Sequence, residues 1–174
     1  MAVDIEASED ISGSDFLSHP GTYHLYVVEA EEYPMSAGSK PIDGIRLTCC
    51  VLDGTQRNAK GCTEKGKKVK LTLFRGTSDK DGGVFRRKII TRLLFSIGLI
   101  GKSQLGQRTS VELKRDGKNR QFIVTLKHGQ DPKYLEPDGL AIWHIDDPDA
   151  AEFPKCQESI ALLPKSMRWE KKPD

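Results

Sequence analysis

Residues 68–75 constrain the fold of this chain more than any other stretch, because their apolar side chains recur at every second position. Val69, Leu71 and Leu73 fall on one side of an extended chain, and Lys68, Lys70, Thr72 and Phe74 on the other. That is the period of a strand with one buried face. Residues 45–53 repeat the pattern, Ile45, Leu47, Cys49 and Val51 opposing Arg46, Thr48, Cys50 and Leu52. Residues 22–33 are β-branched and aromatic with no turn former inside, and read as a third strand. Three such segments need a shared core, and the chain offers one helix to help close it. Over residues 84–97, Ile89, Ile90, Leu93, Leu94 and Ile97 lie on one stripe at 3.6-residue spacing, and Gly98 stops the helix.

The punctuation between these segments sets the rest of the expected order. Pro20-Gly21 and Asp53-Gly54 are turn pairs, residues 34–40 a loop, residues 55–67 a long basic loop and residues 79–83 a turn. Residues 108–115 and 120–127 read as a hairpin across Asp116-Gly117-Lys118-Asn119. Residues 1–18 lack periodicity and read as a disordered acidic arm. Residues 19–127 are expected to be the folded domain. Residues 128–174, broken by six prolines, read as an extension packed on it or partly ordered.

The expected order of three strands, a helix and two strands is that of the five-stranded OB barrel, with its helix between strands 3 and 4. The predicted class is therefore mainly β. No apolar run approaches the roughly 20 residues of a membrane span, and the acidic N-terminus is unlike a signal peptide. A cytoplasmic location is the expectation. The cysteines at 49, 50, 62 and 156 form no CxxC pair, so reduced thiols are expected and no metal.

Charge is sorted along the chain. Residues 1–33 hold eight acids and no Lys or Arg, whereas residues 60–127 hold 18 bases against five acids, in a chain of net charge +2. A basic block flanked by acidic ends makes a local positive field, for which a polyanion is the commonest partner.

Pro20-Gly21-Thr22-Tyr23, the strand reaching Val28-Glu29-Ala30-Glu31, Val51-Leu52-Asp53-Gly54, Gly66-Lys67-Lys68-Val69 and the helix end Ile97-Gly98-Leu99 follow one another at characteristic spacing. Over roughly residues 16–127 this run resembles a family of phage and prophage single-stranded-DNA-binding proteins. The resemblance implies an OB fold, a role in DNA replication or recombination inside a bacterial or host cell, and partners among replication or recombination proteins. Oligomerisation is common in that class. The chain departs from the wider class at its end, Arg168-Trp169-Glu170-Lys171-Lys172-Pro173-Asp174, which is mixed in charge and not an acidic tail.

Single-strand binding needs cations along the phosphates and aromatic faces for the bases. Lys68, Lys70 and Phe74 share the face that the core does not use, Arg75 extends the charge, and Lys67 stands just before. Tyr23 and Tyr26 differ in parity, so one of them faces outward. With Leu25 and Val27 inward, His24 and Tyr26 point out. Arg46 lies opposite the apolar set of its strand. On the last strand Arg120, Phe122, Val124 and Leu126 alternate with Gln121, Ile123, Thr125 and Lys127, and the pattern does not orient it. The candidate contacts are Tyr26, Arg46, Lys67, Lys68, Lys70, Phe74, Arg75, Arg120, Phe122 and Lys127. Arg87, Lys88 and Arg92 read as solvated helix residues, and Trp143 and His144 as packing residues of the extension.

No enzyme is expected. Asp146, Asp147, Asp149 and Glu152 form the one carboxylate cluster a Mg-dependent nuclease would need, but Pro148 interrupts it. There is no nucleophile elbow and no phosphate-binding Gly-rich motif, so no cofactor is expected. The rival readings are a protein–protein adaptor on the same barrel and, behind it, that nuclease. Charge sorting also raises the idea that the acidic arm or the 146–152 loop folds over the basic groove and competes with DNA.

Overall fold

The structure, a computed structural model, describes residues 2, 15–32, 35–37, 40–42, 44–74, 83–107, 111–163 and 167. Five strands form one antiparallel sheet: β1 (Gly21–Glu32), β2 (Gly44–Gly54), β3 (Lys68–Phe74), β4 (Gln121–His128) and β5 (Leu135–Trp143). Their order in space is β3-β2-β1-β4-β5, so β1, the longest, is central. Helix α1 (Gly83–Ser96) follows β3 in the chain and packs on β3 and β5, the two edges. Two small hairpins sit inside segments expected to be loops: Met35–Ala37 with Lys40–Ile42, and Arg57–Asn58 with Gly61–Cys62.

The alternation in the sequence becomes the two faces of the sheet. Tyr23, Leu25, Val27, Leu47, Cys49, Val51, Val69 and Leu71 are all buried on the inner side, with Leu93 of α1 and Ile97 just past its end closing over them. Gly54 is needed where it stands, since a Cβ there would lie 2.4 Å from the Tyr23 ring. Gly98 takes φ 75° after the helix, and its N–H donates to the Phe95 carbonyl, ending α1 where the sequence indicated.

Several expectations are corrected. The barrel is not closed: among the described residues no ladder joins β3 to β5, although the two edges approach within 8 Å between Cα atoms. The hairpin expected over 108–127 is absent from the described part of that stretch. Leu113–Asp116 is instead one helical turn, α2, whose Leu113 is buried in the core. The Gly117 N–H donates to the Leu113 carbonyl, and Asn119 at φ 68° turns the chain so that its N–H reaches the Val27 carbonyl. The turn signal was real, but it joins α2 to β4. Residues 108–110 lie outside the described residues.

The fifth strand comes from the segment read as an extension, so a domain boundary at 127 cuts through β4. Pro137 and Gly139 sit within β5, and the register with β4 breaks between Val124 and Leu126. An edge strand tolerates a residue that has no N–H to donate, which is why the proline does not end it. Beyond β5, residues 144–163 build a second small core, in which Ile145 and Ala150 bury Ile123 and Trp143 meets Phe153 at 5.3 Å between ring centroids. Trp143 and His144 do pack this segment onto the sheet, as expected.

The start of the chain is also partly ordered. Residues 15–17 run parallel to the free edge of β3: Lys68 N–H donates to the Asp15 carbonyl and Leu17 N–H to the Lys68 carbonyl. Leu17 is buried, so the expected disordered arm does not extend to residue 18; residues 3–14 lie outside the described residues.

Candidate nucleic-acid interface

Register decides which polar residues share the outer face. Across β2 and β3, Cys50 pairs with Lys68, Thr48 with Lys70 and Arg46 with Thr72. Across β1 and β2, Tyr26 pairs with Cys50 and Glu31 with Arg46. The inner members of these strands are buried, so Tyr26, Arg46, Lys68 and Lys70 lie together on the other side. Lys68 and Lys70 are exposed, and Tyr26, Arg46 and Phe74 are half-buried. Arg46 Nε donates to Thr72 Oγ1 at 3.2 Å, which ties the side chain across the β2–β3 pair. Tyr26 bonds the Cys50 side chain; that bond first, and burial second, raise its phenol above the ordinary value.

One contributor was missed. Phe16 is 48% exposed beside the β3 edge, with Lys70 Nζ 5.8 Å from its ring centroid. It places an aromatic face next to two lysines. The signal was Phe16-Leu17, two large apolar residues inside a polar acidic stretch, but nothing in the pattern said which strand would receive them.

Other candidates are placed elsewhere. Lys67 Nζ lies 2.6 Å from the buried Glu64 carboxylate, and His19 3.6 Å from its other oxygen, so Lys67 serves an internal pair. Arg120 donates from Nη1 to the Ile97 carbonyl at 3.2 Å and from Nε to the Asp116 carbonyl at 3.0 Å, joining the end of α1 to α2. Burial lowers its pKa. Phe122 is fully buried and offers no face for stacking. Lys127 lies 4.0 Å from Glu136 and 3.7 Å from Asp138, across the sheet from β3. Arg75 lies outside the described residues. Of the helix bases read as solvated, Arg92 is not: its Nε donates to the Ile142 carbonyl of β5 at 2.6 Å.

The outer face is divided in two. His24 points out of the core as its parity required, yet it is fully buried, and Cys156, Ser159 and Met167 make hydrogen bonds to His24 and Gln121 on the β1–β4 half. Its Nδ1 accepts the Cys156 N–H at 3.0 Å, and Nε2 meets Gln121 Oε1 at 2.9 Å. Gln121 Nε2 donates to the Ser159 carbonyl at 3.0 Å. His144 is buried too, its Nε2 bonded to the Met167 carbonyl and its Nδ1 accepting the Asp146 N–H. Burial lowers both imidazoles, His24 to about 4. What remains open is the β2–β3 half, edged by Phe16. The 146–152 loop packs with Ile123 and Trp143, and its Asp147 caps the Pro148–Ala150 turn through the Asp149 N–H at 2.9 Å. It is therefore occupied over β4 and β5 rather than over the lysines.

Charge on the open half is graded. Lys68 and Lys70 mark the β3 side, whereas on β1 the exposed Glu29 pairs with Thr48, one strand from Lys70, and Glu31 pairs with Arg46. A polyanion would follow β3. All four cysteines are free, and burial pushes the Cys49 thiol far up, which leaves it unreactive. Among the described residues no group of three or more His, Cys, Asp or Glu is placed to hold a metal ion, and no helix is long and apolar enough to cross a membrane. Compared with protein-family models and curated proteins, the chain matches none.

Proposed function

We propose that this protein binds single-stranded DNA, without catalysing a reaction, on the open β2–β3 half of an OB-type sheet. The observation that carries this reading is the convergence of Lys68, Lys70 and Arg46 with Tyr26, Phe16 and Phe74 on the half of the outer face away from Cys156, Ser159 and Met167. The OB-type reading is supported by the helix between the third and fourth strands and by edge strands that approach without pairing, since that barrel is partly open and binds oligonucleotides on strands 2 and 3. A role in phage or prophage replication or recombination rests on the family resemblance alone.

In this reading the two lysines and Arg46 neutralise successive phosphates along β3, and the aromatic rings take bases at about 1–3 kcal/mol each. Neither interaction reads a base edge, so binding is sequence-tolerant. Three phosphate contacts to a single strand give a slope of log K against log salt of about −2. Labelled oligo-dT and a duplex of equal length, titrated at two salt concentrations with and without Mg²⁺, test it. Tighter, salt-sensitive binding to oligo-dT is expected. Absence of binding at low salt would refute the reading, and strand scission only with Mg²⁺ would favour the nuclease.

A further inference from the structure

The bases of this chain differ in what they already bond. Lys67 is paired with Glu64, Arg92 and Arg120 donate to carbonyls, and Lys127 faces Glu136 and Asp138. Lys68 and Lys70 are exposed on β3, and among the described residues neither ammonium has a carboxylate within ion-pair distance. Lys70 stands instead over the Phe16 ring. Two like charges this close on one strand repel each other and attract any anion kept beside them.

The chain carries an anionic segment at that place. Residues 4–15 hold five acids (Asp4, Glu6, Glu9, Asp10 and Asp15) and no Lys or Arg. The segment is anchored at its C-terminal end on Lys68 itself. The Lys68 N–H donates to the Asp15 carbonyl at 2.8 Å, and the Leu17 N–H to the Lys68 carbonyl at 2.7 Å, with Leu17 buried. Just downstream the anchor is held again: Tyr23 Oη donates to the His19 carbonyl at 2.6 Å, and Gln56 Nε2 to the Pro20 carbonyl at 3.0 Å. The acids before Asp15 are therefore tethered to the strand that bears the two lysines.

The tether is long enough to reach them. Lys68 and Lys70 are two residues apart on β3, about 7 Å between Cα atoms. Asp10, five residues before Asp15, can lie up to about 17 Å from it. Because residues 15–17 run parallel to β3, the chain before Asp15 starts past the Lys67 end of the strand. Ser12-Gly13-Ser14 supplies the residues of a turn that brings Glu9 and Asp10 back over the face. So short a linker holds these acids at an effective concentration in the millimolar range, far above that of acids on another molecule. The other acidic candidate, the 146–152 loop, is held over β4 and β5.

We propose that residues 4–10 of the free protein lie over Lys68 and Lys70 as an internal substitute for phosphates, and that a single strand must displace them to bind. This rests on the nucleic-acid reading. The arm acts as a selectivity threshold. Carboxylates match phosphates in charge but bring no base, so a ligand that also stacks on the aromatic rings outcompetes the arm, and a simple polyanion does not.

Two measurements on the full-length protein separate the contact from its consequence. A water-soluble carbodiimide joins a carboxylate to an amine where the two touch, taking up the water lost as the amide forms. At low salt, peptide mapping of the monomer should find residues 4–10 joined to Lys68 or Lys70, and excess oligo-dT should suppress the link. In the second, Asp4→Asn, Glu6→Gln, Glu9→Gln and Asp10→Asn together remove the arm's charge without shortening it. That variant should bind oligo-dT about fivefold more tightly at low salt, the worth of two exposed ion pairs, and the gain should shrink as salt rises. Links from the arm to other lysines in place of Lys68 and Lys70, or links only between molecules, would overturn the proposal. Equal affinity of the two proteins for oligo-dT would also overturn it and leave the nucleic-acid reading standing. Binding by neither would overturn that reading itself and the competition with it.

Discussion

His24 shows how one buried side chain ties sequence-distant parts together. Because Nδ1 accepts the Cys156 N–H, the proton sits on Nε2 and donates to Gln121 Oε1. Protonating Nδ1 sets two N–H groups against each other, in surroundings that also include Asp53 and Lys155. The folded pKa of about 4 lies below the unfolded value of 6.5. The unfolded chain therefore binds more protons between these values, and stability falls as pH drops from about 6.5 to 4. The loss attached to His24 is about 3 kcal/mol. Urea titrations at pH 7.5 and 4.5 should show it, and His24→Gln should remove that part of the difference; an unchanged pH dependence would contradict it. Arg120 makes a second residue-scale test. Arg120→Ala should lower stability by about 1–3 kcal/mol through the lost bonds to carbonyls. It should leave the salt slope for oligo-dT unchanged, because the guanidinium is committed to Ile97 and Asp116.

At the scale of elements, β3 is where sequence and structure agree most fully. Its odd residues are buried and its lysines exposed, as the alternation required. Replacing Lys68 and Lys70 by Ala should reduce the salt slope for a single strand by about 1.4, whereas Phe74→Ala or Phe16→Ala should weaken binding with the slope nearly unchanged. Fluorescence titrations of these variants separate phosphate contacts from stacking. A change in slope on removing a phenyl ring would mean that the face is wrongly assigned. β4 is the opposite case. Its residues are apolar on both parities, Phe122 and Val124 against Ile123, and the structure explains why no orientation could be read. The inner pair faces the main core and Ile123 faces the second core, so both sides are buried. Period-two patterning carries information only where one face meets water.

For the whole molecule, the sheet is completed by residues that look like a tail. A fragment of residues 19–127 lacks β5 and the segment covering His24 and Ile123, and should show no cooperative thermal transition, unlike the intact chain. A cooperative melt of that fragment would mean β5 is dispensable. The basic block also divides on folding: Lys67, Arg92 and Arg120 serve internal bonds, Lys127 faces acids on β5, and Lys68, Lys70 and Arg46 gather on the open half-face.

What the sequence by itself determined is local. The β-branched and aromatic run of residues 22–33, the alternation in 45–53 and 68–75, the stripe in α1 and the stop at Gly98 rest on propensities, periods and backbone freedom that neighbours in the chain impose. Only the tertiary structure decided the rest. It made an edge strand of a proline-containing segment, brought Phe16 beside Lys70, and covered His24 with residues more than 130 positions away. These are contacts between distant parts of the chain, and their free energy depends on which surfaces meet, a quantity no local pattern encodes.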